Sequence, residues 1–260
     1  MYPILIKVGP LSVHAYGFFI ALAFLFGIWI SYNYLKREGL DPNMVFDLAI
    51  FVLISAIIGA RLFYVIGEWE QYRNAPIEIF MVQKGGLVFL GGFLLALLAV
   101  ILYARFKNIP LLKLFDALAP GTALGYSIAR IGCFLNGCCF GLPTKLPWGI
   151  VFPPVALASN YFPGEHLHPT QIYSLLSMLT VFVVLVWIYR KKKFDGQIFF
   201  WWLILYSIYR FLVEFLRFSP IHWIGLTPSQ WMVLFAFIYG VWGLLHYLPA
   251  GGQDKKQPDA

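Results

Sequence analysis

Arg130 stands in a thirteen-residue segment, ARIGCFLNGCCFG (129–141), that also holds all three cysteines of the chain, Cys133, Cys138 and Cys139. A guanidinium is a planar fork of donors that matches a phosphate or a carboxylate. After Arg130 the next acid in the sequence is Glu165, so no carboxylate from the following loop is close in sequence. Two further arginines lie in apolar surroundings, and each of the three has a tyrosine at helical spacing. Thr122, Tyr126 and Arg130 recur at i, i+4, i+8, as do Tyr206, Arg210 and Glu214, while Arg61 and Tyr64 are i, i+3. Such spacings draw one stripe along a helix. A charge at a bilayer centre costs about 2.5–3.5 kcal/mol on insertion scales, so these arginines are candidate functional residues. Arg130 and Arg210 converging near headgroup level would bind a phospholipid phosphate. The alternative is internal pairing, Arg210 with Glu214 and Arg61 with Glu68.

Other polar and small residues recur around these stripes. Gly85-Gly86 and Gly91-Gly92 bracket an apolar tetrad, where paired glycines permit a bend or a close approach. The tetrapeptides HPTQ (168–171) and TPSQ (227–230) open helices in which a Thr or Ser can cap and Gln171 or Gln230 projects one turn in. Tyr16 lies near the start of the first helix, a usual depth for an interfacial anchor. Three cysteines, two of them adjacent, make no disulfide framework. The nearest histidines, His166 and His168, do not complete a zinc spacing, so no metal is expected and the cysteines read as small packing residues in a tight loop.

The elements that position these residues are membrane helices. The chain of 260 residues is 60% hydrophobic and 12% charged, with mean hydropathy +0.76. The intervals between Lys7 and Lys36, Lys84 and Arg105, Glu165 and Arg190, and Arg217 and Asp254 enclose 28, 20, 24 and 36 uncharged residues. A span needs about 20. The pattern predicts an all-α polytopic protein with seven transmembrane helices near 13–35, 46–67, 87–105, 114–131, 170–190, 196–216 and 228–247. Eleven basic residues, among them Lys191–Lys193 and the tail pair Lys255-Lys256, fall on one side, against five, Lys84 included, on the other. This bias places the N-terminus outside and the C-terminus in the cytoplasm. The net charge of +7 is mostly this bias and marks no nucleic-acid face. Residues 1–249 read as a single domain with its main outer loop at 132–168, and Ala250–Ala260 as a disordered cytoplasmic tail. Helix 1 lacks the flanks of a cleaved signal peptide.

The ordered set of motifs resembles the prolipoprotein diacylglyceryl transferases. It comprises VHAYG near the N-terminus, GARLFYV (59–65), GGLVFLGG (85–92), DALAPGTALGYSIARIGCFLNGCCFG (116–141), HPTQIY (168–173) and YRFLVEFLR (209–217). The resemblance covers nearly the whole chain. It implies an enzyme of the bacterial inner membrane, acting towards the outer leaflet. Such an enzyme moves the diacylglyceryl group of phosphatidylglycerol onto the thiol of a prolipoprotein lipobox cysteine, releases glycerol phosphate and needs no cofactor. It also implies roles by position. Arg130 and Arg210 handle phosphate, Glu214 lies one turn on and Tyr206 one turn before, and these four form the catalytic expectation. Tyr16, Arg61, Tyr64, Asn136, Gly141, Gly91, Gly92, His168 and Gln171 form the substrate-binding expectation. Three positions depart from the family's best-studied form, where Cys133 is an asparagine, Cys138 an acid and Leu90 a histidine proposed as base. Leu90 takes no proton, which leaves Glu214, Tyr64, Tyr206, His168 or the lipid phosphate to do so. A lipid-binding protein or transporter using the same arginines without chemistry, and a redox protein built on the cysteines, are the competing classes.

Overall fold

The computed structural model describes residues 4–8, 11–73, 76–81, 85–219 and 221–248. Lys84, Lys255, Lys256 and the tail Ala250–Ala260 lie outside the described residues. Eight α-helices dominate: α1 Ala15–Arg37, α2 Met44–Gly67, α3 Trp69–Tyr72, α4 Phe89–Phe106, α5 Leu111–Asn136, α6 Thr170–Tyr189, α7 Gln197–Glu214 and α8 Pro228–Tyr247. Seven are long and match the seven expected segments; α3 is a single turn. Two small antiparallel pairs were not anticipated, β1 Ile4–Val8 with β2 Leu11–His14, and β3 Ile150–Val151 with β4 His166–Leu167.

Five helices, α1, α2, α4, α6 and α8, are long and apolar enough to cross a membrane. They are inside out relative to a soluble protein. Leu25, Ile66, Phe235 and Leu245 are each more than 60% exposed, whereas Arg61, Asp116, Gln171, Ser174, Ser207, Arg210, Glu214 and Gln230 are buried. Exposed apolar surface of this extent marks a membrane-facing exterior. The other two long helices, α5 and α7, carry the buried charges Asp116, Arg210 and Glu214, while Arg61 is on α2.

The chain forms two compact units. One is Tyr32–Leu114. In it α2 packs on α4 through small residues: a Cβ on Gly59 would collide with the Gly91 carbonyl, and one on Gly92 would lie 2.8 Å from the Ala56 carbonyl. Close backbone approach of this kind is how helices associate where no hydrophobic effect drives them together.

The second unit is Met1–Ser31 with Phe115–Ala260. Its helical core joins α5, α6 and α7 through Ala119, Ala123, Met178, Val181, Leu185, Ile198 and Val213. Asp116, wholly buried, accepts the Gly196 amide at 2.7 Å and the Phe199 amide at 2.8 Å, and pairs with Lys192 at 2.9 Å. A carboxylate from α5 therefore caps the N-terminus of α7, where free N–H groups and the helix dipole favour an anion. Thr227 and Gln230 close a reciprocal capping box on α8, as TPSQ suggests. A separate aromatic core, Phe140, Phe152, Ala156, Ala158 and Leu167 with Phe162 and Phe218, consolidates the long loop between α5 and α6.

Helix α5 runs further than expected. It continues past Arg130 to Asn136 and stops where Gly137 takes a left-handed φ of 69°. Gly132 and Cys133 read as loop in the sequence, but Ile131, Phe134 and Leu135 keep the helical period. The Asn-Gly pair is the real stop signal.

Candidate active site around Arg130

The predicted stripe on α5 forms as drawn. The Arg130 side chain lies over the Tyr126 ring, 4.4 Å from its centroid, and Nη2 donates to the Tyr126 hydroxyl. Among the described residues Nη1 meets the Cys133 sulfur, at 3.9 Å. Among the described residues no carboxylate pairs with it. The Tyr126 hydroxyl sits 3.3 Å from that of Tyr209 on α7. Tyr206 packs edge-on to Tyr126, with ring centroids 5.9 Å apart. Tyr206 is within electrostatic reach of both Arg130 and Arg210. The three tyrosines thus connect the two arginine stripes. Tyr209, absent from the expected site, is i+3 from Tyr206 and opens the YRFLVEFLR motif, and these are the signals by which the sequence could have found it.

Arg210 is already paired. Nη1 lies 2.6 Å from Glu214 Oε2, and Nη2 donates to the Ser229 hydroxyl at 3.2 Å. Glu214 also accepts from the Thr227 hydroxyl at 3.0 Å. The internal-pairing alternative therefore holds for this arginine. A cavity of about 160 Å³ opens beside Glu214, lined by Arg217, His222 and Thr227 among others.

The loop after α5 is gripped from two sides. Gly141 N–H donates to the His168 carbonyl at 3.0 Å, and Leu142 N–H to that of Leu216 at 2.9 Å. A Cβ on Gly141 would lie 2.6 Å from both His168 Cβ and the Leu216 carbonyl, so only glycine threads between the two chains. HPTQ has a different role from the helix cap expected of it. The N-cap of α6 is Pro169. The Thr170 hydroxyl donates to the Cys139 carbonyl at 2.7 Å, and the Gln171 amide to the Cys138 carbonyl at 2.8 Å. Both residues are buried, and they hold the cysteine loop in place. The His168 ring lies 3.3 Å from the Tyr173 hydroxyl.

The loop brings all three sulfurs together, within 4.8 Å of one another. Asn136, last residue of α5, reaches the Cys138 side chain. Hydrogen bonds from Cys133 and Cys138, with the positive charge of Arg217 and Arg130, hold the Cys139 thiol well below its ordinary range. Tyr16, 43% exposed, falls within electrostatic reach of these sulfurs and of Arg130. Its backbone passes close to α5, with Cα 3.2 Å from where a Cβ on Gly132 would stand.

Arg61, in the other unit, is spent on its own loop. It donates to the carbonyls of Glu78 at 2.6 Å, Ile79 at 2.9 Å, Gly85 at 2.7 Å and Gly86 at 3.2 Å. Tyr64 and Tyr72 flank its guanidinium. The expected pairing with Glu68 does not form, because four carbonyls satisfy the fork first. Gly86, at φ 76°, approaches the Tyr64 ring and Arg61 closely enough to exclude any Cβ. Gly91 and Gly92 are buried against α2. Their space towards α2 is filled by helix packing.

Exposed apolar helices enclosing buried polar side chains, with one half-buried arginine that has no carboxylate partner among the described residues, define a multi-pass membrane protein. The profile of the prolipoprotein diacylglyceryl transferase family matches residues 3–246, and the chain belongs to that family. The phosphatidylglycerol–prolipoprotein diacylglyceryl transferase of Synechococcus elongatus is 38% identical over 249 residues, 94% of this chain and 86% of that relative. Those of Clostridium tetani and Finegoldia magna are each 36% identical, over 93% and 87% of this chain and 96% and 88% of theirs.

Proposed function

We infer that this chain transfers the diacylglyceryl group of phosphatidylglycerol to the lipobox cysteine thiol of bacterial prolipoproteins, forming a thioether and releasing glycerol phosphate. Family membership supports the reaction, and one observation carries the site: Arg130 is a half-buried guanidinium whose hydrogen-bond partners among the described residues are a tyrosine hydroxyl and a distant sulfur. It is the cation left to take the lipid phosphate.

The chemistry follows from that placement. The substrate thiol attacks the glycerol carbon bearing the phosphate ester, a C–S bond forms, and the C–O bond breaks towards phosphorus. Negative charge grows on the departing phosphate, where a fixed guanidinium stabilises it most. Glu214, bound by Arg210 and Thr227, serves to set Arg210. Leu90 accepts no proton. The thiol proton therefore leaves on the released phosphate. Tyr206 and Tyr126 orient the two arginines, and Tyr16 and Asn136 border the space beside them. Gly141, His168 and Gln171 act on substrate indirectly, by fixing the loop. Arg61 and Tyr64 shape the segment that leads into α4.

The seven long helices are proposed to span the bacterial inner membrane with the N-terminus outside and the C-terminus in the cytoplasm. The basic bias of the connections supports this, and it sets Arg130 and the 132–168 loop towards the outer leaflet. Residues 1–249 act as one catalytic domain, in keeping with an uninterrupted family match. The test is to supply membranes containing the chain with phosphatidylglycerol labelled in its headgroup glycerol and a lipobox peptide. Peptide-dependent release of labelled glycerol phosphate, with a diacylglyceryl mass gain on the peptide, is expected. Lipid binding without release points instead to a non-catalytic lipid-binding protein and defeats the reading.

A further inference from the structure

We propose that Cys133, Cys138 and Cys139 form a three-sulfur site for a thiophilic cation, Zn(II) or Cu(I). The three sulfurs, from the last turn of α5 and the loop beyond it, already lie within 4.8 Å of one another. Around a zinc ion with Zn–S bonds of about 2.3 Å, sulfurs stand roughly 3.8–4.0 Å apart, so a closure below about 1 Å completes the site. The convergence is built by the backbone. Gly137 and Cys139 both take left-handed φ, 69° and 60°, and a cysteine adopts that conformation at a cost. Thr170 and Gln171, from a different helix, fix the carbonyls of Cys139 and Cys138, so the loop is held ready rather than assembled by the ion.

The donor set selects the ion. Among the described residues no histidine or carboxylate joins the group. An all-sulfur set favours soft ions over magnesium or calcium. Cys133 is buried while Cys138 and Cys139 are part-exposed, which leaves an approach for the ion. Arg130 and Arg217 lie within electrostatic reach and offset the charge of three thiolates. Thiol protons pass to solvent as the metal–sulfur bonds form.

One consequence rests on the proposed transferase reading. A metal–thiolate cluster is anionic and sits against the Arg130 Nη1 that the phosphate needs, so a loaded site slows transfer.

Reduced full-length protein in detergent, stripped with a chelator, is titrated separately with Zn(II) and with anaerobic Cu(I), and bound metal is counted after gel filtration. Cd(II) serves as the optical reporter of sulfur ligation through its charge-transfer absorption. One ion per chain is expected, with affinity lowered at least about 100-fold by Cys139→Ser, in line with loss of one of three ligands. The triple Cys133→Ser, Cys138→Ser, Cys139→Ser variant, shown folded by circular dichroism, retains none. Wild-type protein that holds no more metal than this variant, or that gives no sulfur-to-cadmium band, overturns the site. Glycerol phosphate release is then compared with and without Zn(II). Slowing that a chelator reverses, absent from the triple variant relative to its own unloaded rate, supports the competition. One ion bound with release unchanged overturns the competition alone, and one ion bound by a chain with no release at all overturns the transferase reading alone.

Discussion

Replacing Arg130 with alanine is expected to abolish transfer while leaving the fold nearly as stable. The two effects separate because of what Arg130 touches. Its protein contacts are one tyrosine hydroxyl, one sulfur at 3.9 Å and the face of the Tyr126 ring. The cation–π contact is worth about 0.5–2 kcal/mol, and deleting the side chain also removes a buried charge that is costly to keep. Tyr126 retains its contact with Tyr209. Towards a phosphate the balance differs. Two charge-assisted hydrogen bonds at about 1.5–3 kcal/mol each give roughly 3–6 kcal/mol, or about 10²- to 10⁴-fold in kcat/KM. The phosphate gains charge as the C–O bond breaks, so the loss should appear more in kcat than in KM. Arg130→Lys keeps a point charge without the fork and should fall between. The assay is glycerol phosphate release with a lipobox peptide, beside thermal unfolding of each variant. A folded Arg130→Ala protein within tenfold of wild-type kcat/KM would refute the reasoning, as would a lysine variant equal to wild type.

Arg210 should behave in the opposite order. Arg210→Ala strands Glu214 in a buried site and costs about 3–5 kcal/mol of stability, while a paired Arg210→Met, Glu214→Leu variant recovers at least half of the lost thermal midpoint. Asp116→Ala leaves the Gly196 and Phe199 amides without their acceptor, while Lys192 keeps Asp195, and a loss of about 1–3 kcal/mol is expected in thermal unfolding with specific activity of the folded fraction unchanged. Gly141→Ala forces apart the chains at His168 and Leu216 at about 1–3 kcal/mol. It should open the 137–170 segment to limited proteolysis and lower transfer together with it.

What the sequence made legible follows from how local each feature is. The stripes Tyr126–Arg130 and Arg210–Glu214 depend only on the helical period, which one chain segment sets by itself. The capping box at Thr227 and Gln230 is equally local. Arg61 is the contrary case: its partners are carbonyls 17 to 25 residues away, and a carbonyl belongs to every residue, so no residue type announces it. Thr170 and Gln171 carried the spacing of a helix cap, and their tertiary bonds to the cysteine loop overrode it. The sulfur cluster was hidden for a different reason. The spacing of Cys133 from Cys138 and Cys139 brings them together only through the left-handed turns at Gly137 and Cys139, and of those two residues only glycine advertises such a turn.

The three arginines show why burial alone is an incomplete guide to function in a membrane protein. Insertion cost singles out Arg61, Arg130 and Arg210 equally. The partner of each fork then separates them, since a carboxylate already neutralises the charge that an anionic ligand would seek. Arg61 gives all three nitrogens to backbone carbonyls, and so builds a loop. Arg210 gives one side of its fork to a carboxylate and the other to a hydroxyl, and so ties α7 to the start of α8. Arg130 alone of the three has no carboxylate or carbonyl among the described residues as its hydrogen-bond partner, and its Nη1 meets the Cys133 sulfur. The Cys133 sulfur also belongs to the three-sulfur cluster, so if Arg130 takes the lipid phosphate as proposed, it is also the residue through which a bound metal would be felt.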